Sequence, residues 1–457
     1  MTQKVLVVNV VGLTPSLLGD RTPRLHALAR DGFQAPLEGI FPAVTCSAQA
    51  SMLTGTLPSE HGIVGNGWYF RDLSEVWLWR QSNRLVAGEK IWERLRRHRP
   101  GLTCAKLFWW YNMYSSADWS VTPRPVYFAD GRKAPSIYTY PASLKLELDR
   151  ELGAFPLFNF WGPTANIASS DWIGRCARRV LQEQAPDLAL VYLPHLDYEL
   201  QRVGPSGPRV DVALKEIDAV AGDLIDTARE RGYEVIVLSE YGISEVRGSV
   251  SLNRRLREAG FLAVQETVQG ELLDPGASRA FAVCDHQIAH VYVQNRDDVP
   301  TVQKLLEDLD GVESVLDRDG KEACGIAHPR SGELVAISTR DRWFDYYYWL
   351  DDAHAPDFSH TVDIHRKPGY DPVELFMDPQ KSAVKLRVIS KLLMKKLGFR
   401  TLMDFIPLDA SLVRGSHGRL PDDASDGPIF LSSSRAISTS SIKMTEISQL
   451  VEQICLG

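Results

Sequence analysis

Three short runs of apolar residues constrain the fold of this chain more than any other feature. They are Val5–Val11, interrupted only by Asn9, then Leu188–Leu193 and Val235–Leu238. Apolar runs without alternation are typical of parallel strands buried on both faces of a sheet. Helical segments accompany them, at residues 22–32, 173–183 and 216–231. This alternation predicts an α/β fold in which a mainly parallel central sheet lies between helices.

Polar residues lie in or just after these strands. Asn9 interrupts the first run, Asp197 closely follows the second, and Glu240 follows the third. The carboxyl ends of parallel strands meet at one edge of a sheet, where ligands bind. One carboxylate after a strand is common, but the pair favours cation or phosphate chemistry at this edge.

The stretch Phe41–Gly55 places a hydroxyl at the start of a helix. Small residues follow Thr45, and Gly55 closes the segment. The free N–H groups at a helix N-terminus attract an anion, so Thr45 is the candidate nucleophile. The alternative is that Thr45 only caps the helix. Cys46 is a second candidate nucleophile, although no base lies in its local sequence.

Asn66 lies between two glycines in the segment His61–Trp68. A tight turn there would direct the Asn66 amide into a cleft. Ordinary turn chemistry explains the same pattern, because Asn and Gly are common together in turns.

Composition excludes several functional classes. A net charge of −7 and a pI near 5.9 argue against non-specific nucleic-acid binding. No apolar run approaches the roughly 20 residues of a membrane span. The N-terminus leads directly into the first strand without a signal-peptide pattern, so we expect a cytoplasmic protein. The six dispersed cysteines are expected to be reduced thiols.

The remaining segments leave alternatives open. The aromatic stretch 69–160 is read equally well as a pocket wall or as core. Residues 283–293 are predicted as one strand of a separate unit. The acids and histidines of 351–367 are interpreted either as a metal cluster or as a solvated loop.

Taken in order, these motifs resemble the alkaline phosphatase superfamily, in its type I phosphodiesterase/nucleotide pyrophosphatase branch, which includes phosphonoacetate hydrolases. The pattern Phe-Pro-x-x-Thr, Thr-Gly and His-Gly-Ile between Phe41 and Ile63 carries the resemblance, and Asn66 follows it. The resemblance implies a catalytic core of 1–265 and 405–457. Residues 266–404 would form an inserted α+β cap for substrate recognition.

The same resemblance implies the chemistry of the site. Family members hold two zinc or similar ions, and a Thr alkoxide, here Thr45, forms a phospho-enzyme that water hydrolyses. Asn66 and the Thr45 backbone N–H would hold the phosphate. Asn66 and Trp68 are the predicted substrate contacts.

The metal-ligand positions depart from the family pattern. Val11 stands where the family has Asp, Gln201 where it has His, and Glu240-Tyr241 where it has Asp-His. The candidate metal ligands are Asp197, Glu240 and His417, with Gln201, Tyr241 and Asn9 as further candidates. Such a set favours one divalent ion or an altered pair, among Zn, Mn, Mg and Fe. Further replacement ligands are Asp285, His286 and His290.

The predicted function is hydrolysis of phosphate esters, phosphodiesters or phosphonates. The alternative is a non-catalytic relative that binds a phosphate or nucleotide through a degraded metal site. Sulfate-ester hydrolysis and phosphoryl transfer complete the options. The expected partner is a small phosphorylated or phosphonate substrate, without nucleic acid or membrane, and a homodimer stays open.

Overall fold

The fold is given by a computed structural model that describes residues 3–129, 132–381, 383–435, 437 and 439–457. The helices are α1 (Pro23–Asp31), α2 (Thr45–Thr54), α3 (Pro58–His61), α4 (Ile91–His98), α5 (Ser143–Leu152), α6 (Ile167–Glu183), α7 (His195–Val203), α8 (Val210–Glu230), α9 (Leu252–Glu258), α10 (Val299–Glu307), α11 (Arg318–Ala323), α12 (Val384–Lys396) and α13 (Ile447–Leu456).

The strands are β1 (Lys4–Val10), β2 (Phe33–Glu38), β3 (Gly67–Phe70), β4 (Glu75–Leu78), β5 (Cys104–Leu107), β6 (Trp119–Pro123), β7 (Val126–Tyr127), β8 (Lys133–Ala134), β9 (Ile137–Tyr140), β10 (Leu188–Leu193), β11 (Tyr233–Leu238), β12 (Ser244–Glu245), β13 (Gly248–Val250), β14 (Val264–Thr267), β15 (Gly270–Leu273), β16 (Ala280–Asp285), β17 (Ile288–Val293), β18 (Val312–Leu316), β19 (Leu334–Ser338), β20 (Arg342–Phe344), β21 (Gly415–Ser416), β22 (Ile429–Ser432) and β23 (Ile442–Lys443).

A nine-stranded sheet forms the centre of the molecule, in the order β23-β2-β22-β11-β1-β10-β5-β6-β9. The three predicted strands are its middle: β1 pairs in parallel with β10 on one side and β11 on the other. The parallel arrangement continues through β5 and β6, whereas β22 and β9 pair antiparallel with their neighbours. The predicted fold class, a mainly parallel sheet between helices, is confirmed.

Alternate residues of β1 face two different helical layers, as the pleat of a strand requires. Leu6, Val8 and Val10 belong to the apolar cluster that contains the inner face of α8. Val5 and Val7 belong to the opposite cluster, which contains side chains of α2, α4 and α13. Both faces are therefore buried, which explains why the run is apolar throughout rather than alternating.

A second, antiparallel sheet has the order β16-β17-β19-β18 and lies within the region predicted as an inserted cap. The prediction of one strand over 283–293 is wrong, because β16 and β17 form a tight hairpin there. Asp285 pairs with Ile288 across the turn, and His286 takes a left-handed conformation with φ of 63°. This reversal brings the hairpin tip to the core. The domain boundaries at 265 and 405 stay a prediction.

Two further sequence-based predictions concern the thiols and the membrane. All six cysteines are free, as predicted. Among the described helices, none has the length and apolar character needed to cross a bilayer. The cytoplasmic location and the homodimer stay predictions.

Candidate active site

The candidate residues meet at the carboxyl edge of β1, β10 and β11. Asp197 lies in the first turn of α7, and Glu240 and Tyr241 directly follow β11. Gly12 turns the chain after β1 with φ of 82°, and a Cβ there would lie 3.2 Å from a methyl carbon of Leu200. The close packing of this turn keeps α7 against the strand ends.

Thr45 does not cap its helix. The helix α2 begins at Thr45 itself, and Val44, in an extended conformation, occupies the cap position without a side-chain hydrogen bond. The N-cap interpretation is therefore wrong. The Thr45 Oγ1 lies 2.9 Å from the hydroxyl oxygen of Tyr241, so this hydroxyl is directed at the predicted site.

A hydrogen-bonded chain continues from Tyr241. Its hydroxyl lies 3.5 Å from Asp197 Oδ1, as a donor. The Gln201 amide donates to Asp197 Oδ2 at 2.9 Å. Tyr370 in turn donates to Gln201 Oε1 at 2.8 Å. Gln201 thus uses its carbonyl oxygen on Tyr370 and turns its N–H toward Asp197.

Two amides hold the Glu240 carboxyl. Asn9 Nδ2 and Gln49 Nε2 both donate to Glu240 Oε1. The orientation of Gln49 is set by its own oxygen, which accepts the Trp110 backbone N–H at 2.6 Å. Amide N–H groups therefore lie beside Glu240 Oε1, at the position where a metal ion would bind a carboxylate ligand.

Burial raises the pKa values of both carboxyls. The pKa of Asp197 rises to about 7 through desolvation, which its hydrogen bonds from Gln201 and Tyr241 only partly offset. Desolvation raises the pKa of Glu240 to about 8 against the opposing effects of Gln49, Asn9 and Thr45. The site thus carries less negative charge near neutral pH than its two carboxyls suggest.

Four aromatic rings stack across the site. Tyr241 and His417 have ring centroids 3.6 Å apart, His417 and His286 are 3.7 Å apart, and His286 and Tyr370 are 3.6 Å apart. His417 Nδ1 donates to the Ala43 carbonyl at 2.8 Å, which leaves its Nε2 as an acceptor. Burial lowers the pKa of both histidines well below the ordinary value, so both rings are neutral.

The tip of the β16–β17 hairpin binds Asn66. Asp285 Oδ2 accepts the Asn66 backbone N–H at 2.7 Å, and Asp285 Oδ1 accepts from the Asn66 side-chain amide at 2.9 Å. The Asn66 Oδ1 accepts the Cys46 backbone N–H at 3.0 Å. The Asn66 turn therefore does reach the start of α2, and a carboxylate of the second sheet takes two of its N–H groups.

The described residues do not fit the two-ion centre that the resemblance implies. Within the described ranges, no three His, Cys, Asp or Glu side chains converge to hold an ion. Among the three main candidate ligands, His417 Nε2 and Asp197 Oδ1 are 3.9 Å apart. Val11 offers no ligand atom, while Gln201 and Tyr241 direct N–H and O–H groups at Asp197.

Three buried acceptors in the site have no hydrogen-bond partner among the residues that the structure describes. They are Asn9 Oδ1, Glu240 Oε2 and His417 Nε2. A buried acceptor without a donor costs about 1–3 kcal/mol. A ligand carrying N–H or O–H groups would complete these three atoms.

The other predicted residues have different surroundings. Trp68 is 2% exposed, its ring stacked on Phe70 and covered by the guanidinium of Arg330. Burial raises the pKa of the Cys46 thiol well above its ordinary value, which disfavours a thiolate nucleophile. His290 donates from Nε2 to the Val64 carbonyl at 2.9 Å.

The structure also bears on the two segments, 69–160 and 351–367, for which the sequence left alternatives. In the aromatic stretch, Trp109 and Trp110 are buried, which favours the core interpretation for these rings. Asp351, Asp352 and His354 are exposed, and Asp352 pairs with Arg254. That placement favours the solvated loop over a metal cluster.

Sequence reasoning missed two residues of the site. Gln49 lies four residues after Thr45 on the same helix, so helical periodicity indicates that both share a face. Tyr370 has no comparable local signal, because it reaches Gln201 across 169 positions of sequence.

A sequence profile of the type I phosphodiesterase/nucleotide pyrophosphatase family matches residues 5–371. The chain belongs to this family. The family assignment made from sequence is confirmed. The enzymes of this family are phosphodiesterase- and pyrophosphatase-like hydrolases, which is the predicted enzyme class.

Individual relatives of this phosphodiesterase family are distant. An uncharacterized pyrophosphatase/phosphodiesterase of Schizosaccharomyces pombe is 25% identical over 252 residues, which are 52% of this chain and 44% of that protein. The chain thus spans less than half the length of this curated relative.

Solved structures share the fold. An inactive variant of murine ectonucleotide pyrophosphatase/phosphodiesterase 5 in complex with AMP aligns over 99% of this chain and 95% of its own, with a TM-score of 0.61 and 14% identity. Phosphonoacetate hydrolase from Sinorhizobium meliloti 1021 in complex with phosphonoacetate aligns over 99% and 96%, with a TM-score of 0.62 and 13% identity. At these identities the likeness establishes the fold of the phosphodiesterase family.

Proposed function

We propose that the protein hydrolyses a phosphate ester, phosphodiester or phosphonate through nucleophilic attack by Thr45. One observation carries the proposal: the Thr45 hydroxyl lies at the first residue of α2 and is hydrogen-bonded to Tyr241 instead of capping the helix. A buried hydroxyl at a helix N-terminus, with a proton route beside it, has the requirements of a nucleophile toward phosphorus.

The chain's own groups supply the proton transfer. As Thr45 Oγ bonds to phosphorus, its proton passes to the Tyr241 oxygen, and Tyr241 passes its own proton to Asp197. The leaving oxygen or carbon departs with the bonding electrons and takes the proton that reached Asp197, which returns Asp197 to its carboxylate. Water then attacks phosphorus, its oxygen leaves with the released phosphate or phosphate monoester, and one of its protons restores the Thr45 hydroxyl.

The start of α2 stabilises the phosphoryl oxygens in this proposal. The positive end of the helix dipole favours an anion next to Thr45, together with the first N–H groups of α2 other than that of Cys46, which bonds to Asn66. Asn66 is tied to this helix through the Cys46 N–H. Its predicted contact with phosphate, and the contact predicted for Trp68, stay proposals.

No step of this reaction passes through a metal ion, because the donor set does not fit one. Asp197, Glu240 and His417 were predicted to hold one or two ions of Zn, Mn, Mg or Fe. In the described chain, amide N–H groups donate to both carboxyls, and His417 lies inside a ring stack. The metal content of the purified protein tests that cofactor prediction.

The test is a comparison of Thr45→Ala, Thr45→Ser and the native protein. Substrates are p-nitrophenyl phosphate, bis-p-nitrophenyl phosphate and phosphonoacetate, and Thr56→Ala is the matched control. We expect Thr45→Ala to lower kcat by about 10³-fold or more, Thr45→Ser to keep part of it, and the control to keep all. Intact-mass analysis of a stopped reaction should show a phosphoryl group on Thr45. Full activity of Thr45→Ala would refute the mechanism.

A second candidate function is non-catalytic binding of a phosphate or nucleotide. One observation favours it: Asp285 already occupies the Asn66 N–H groups on which an oxyanion would rely. This candidate predicts saturable phosphate or AMP binding by calorimetry with no turnover of any of the three substrates, whether or not Thr45 is replaced.

A further inference from the structure

A cavity of about 850 Å³ opens beside the site. Thr14 and Ser16, which follow β1, line it together with Ser244 and Arg247, which follow β11, and Arg340, which lies between β19 and β20. Open α/β sheets bind ligands in the crevice beyond the carboxyl ends of their strands. This cavity has that position, and its described lining residues do not include Thr45, Gly12 or Tyr241.

Some charged side chains of the cavity already have an ion-pair partner, and others do not. Arg340 pairs with Asp426 at 2.9 Å, and Arg21 pairs with Asp211 at 2.7 Å. Over the described residues, Arg247 has no carboxylate within ion-pair distance, and Glu245 has no basic partner. The cavity therefore offers one free guanidinium for an anion and one free carboxylate for hydroxyl groups.

The uncharged lining consists of hydroxyl and aliphatic side chains. Hydroxyl side chains are frequent in it, and none of the described residues that line it is aromatic. A nucleobase would find no ring on which to stack. Hydroxyl side chains and a free carboxylate instead match the alternating donors and acceptors of a polyol.

A narrow crevice lies next to this cavity, and Ser244 and Asp426 line both. Glu240 and Tyr241 are also among its lining residues. Its volume of about 10 Å³ is the space of a single water molecule. A ligand in the cavity therefore stays outside this crevice.

We infer that this cavity is a binding site for a phosphorylated polyol. The phosphate binds Arg247, and ring or chain hydroxyls contact Glu245 and the hydroxyl side chains of the lining. The site goes beyond the proposed reaction at Thr45, and its occupancy does not depend on that reaction.

The test is isothermal titration calorimetry on the full chain. The probes are myo-inositol 1-phosphate, glucose 6-phosphate, free myo-inositol, inorganic phosphate and AMP. We expect the two polyol phosphates to bind at least about tenfold more tightly than AMP, inositol or phosphate. Equal or tighter binding of AMP would overturn the assignment of the ligand class.

Variants locate the binding. Arg247→Ala should weaken binding of the polyol phosphates about tenfold or more, whereas Arg318→Ala, an exposed arginine elsewhere, should change nothing. Glu245→Gln should weaken binding of the polyol phosphates while leaving that of inorganic phosphate unchanged. If Arg247→Ala binds as the native protein does, the site is wrong. Thr45→Ala should retain binding, so a failure of the proposed hydrolysis and a failure of this site give different results.

Discussion

Metal content distinguishes this site from the two-ion centre implied by its family resemblance. We predict that the native protein, dialysed against about 100 μM zinc or manganese and freed of excess, retains less than about 0.1 ion per chain at this site. The physical reason lies in the contacts of the two carboxyls. Glu240 accepts from Asn9 and Gln49, and Asp197 accepts from Gln201.

The hydrogen bonds set the magnitude. An ion that binds Glu240 Oε1 must displace two amide donors. Each such bond contributes about 1.5–3 kcal/mol, so displacement opposes binding through Oε1 by about 3–6 kcal/mol. That cost weakens the affinity at Oε1 by about 10²–10⁴-fold and leaves an ion only the single oxygen Oε2 of this carboxyl, in addition to the ligands missing at Val11, Gln201 and Tyr241.

A gain-of-function variant sharpens the test. Val11→Asp, Gln201→His, Glu240→Asp and Tyr241→His together supply the side chains of the family pattern. We expect this variant to bind up to two ions per chain. At a metal concentration about 100-fold above the dissociation constant, binding should stabilise it against urea by about 2.7 kcal/mol, whereas the native protein should gain nothing measurable.

Adding Asp197→Asn to this variant is the control, because it removes the carboxylate that lies closest to His417. Ion counts by mass spectrometry of the purified protein and urea unfolding curves are the two measurements. The reasoning is refuted if the native protein retains one or more ions per chain, and if Asp197→Asn in the native background abolishes that retention.

Two further predictions concern buried charges. Desolvation lowers the pKa of Lys106 to about 7 from an ordinary value of 10.5, so between these values the unfolded chain binds more protons and stability falls as pH falls. The native protein should therefore gain about 3 kcal/mol of stability between about pH 7 and pH 9.5, and Lys106→Met should remove this gain. The variant also loses the hydrogen bond to the Tyr111 carbonyl. Urea unfolding at both pH values checks the prediction, and an unchanged pH dependence would contradict it. Asp285→Asn places an amide against the Asn66 donors and should cost about 1–3 kcal/mol in urea unfolding, while Asp319→Asn on the surface should cost little; equal stabilities would show that the Asp285 contact is energetically unimportant.

The local sequence pattern predicted the parts of the site that lie on single elements. Apolar runs predicted the middle strands of the sheet, since a strand covered on both faces is apolar at nearly every position. The position of Asp197 and Glu240 after those strands predicted that both carboxyls share one edge. Thr45 was also predicted to lie at a helix start.

Tertiary structure decided what these residues contact. Whether Thr45 caps α2 depends on Val44 taking the cap position, which no local preference for Ser or Thr would indicate. Asp285 contacts Asn66 across 219 positions of sequence, and only the folding of the β16–β17 hairpin over the core places them together.

The predicted metal ligands show the same difference between local sequence and tertiary contacts. The sequence alone determined that three ligand positions of the family hold Val11, Gln201 and Tyr241. Only the tertiary structure showed that amides and a phenol from separate elements donate hydrogen bonds to the remaining carboxyls. Hydrogen bonds need atoms within about 3 Å and correctly oriented, and such distances between remote segments are set by packing, which local composition and periodicity do not encode.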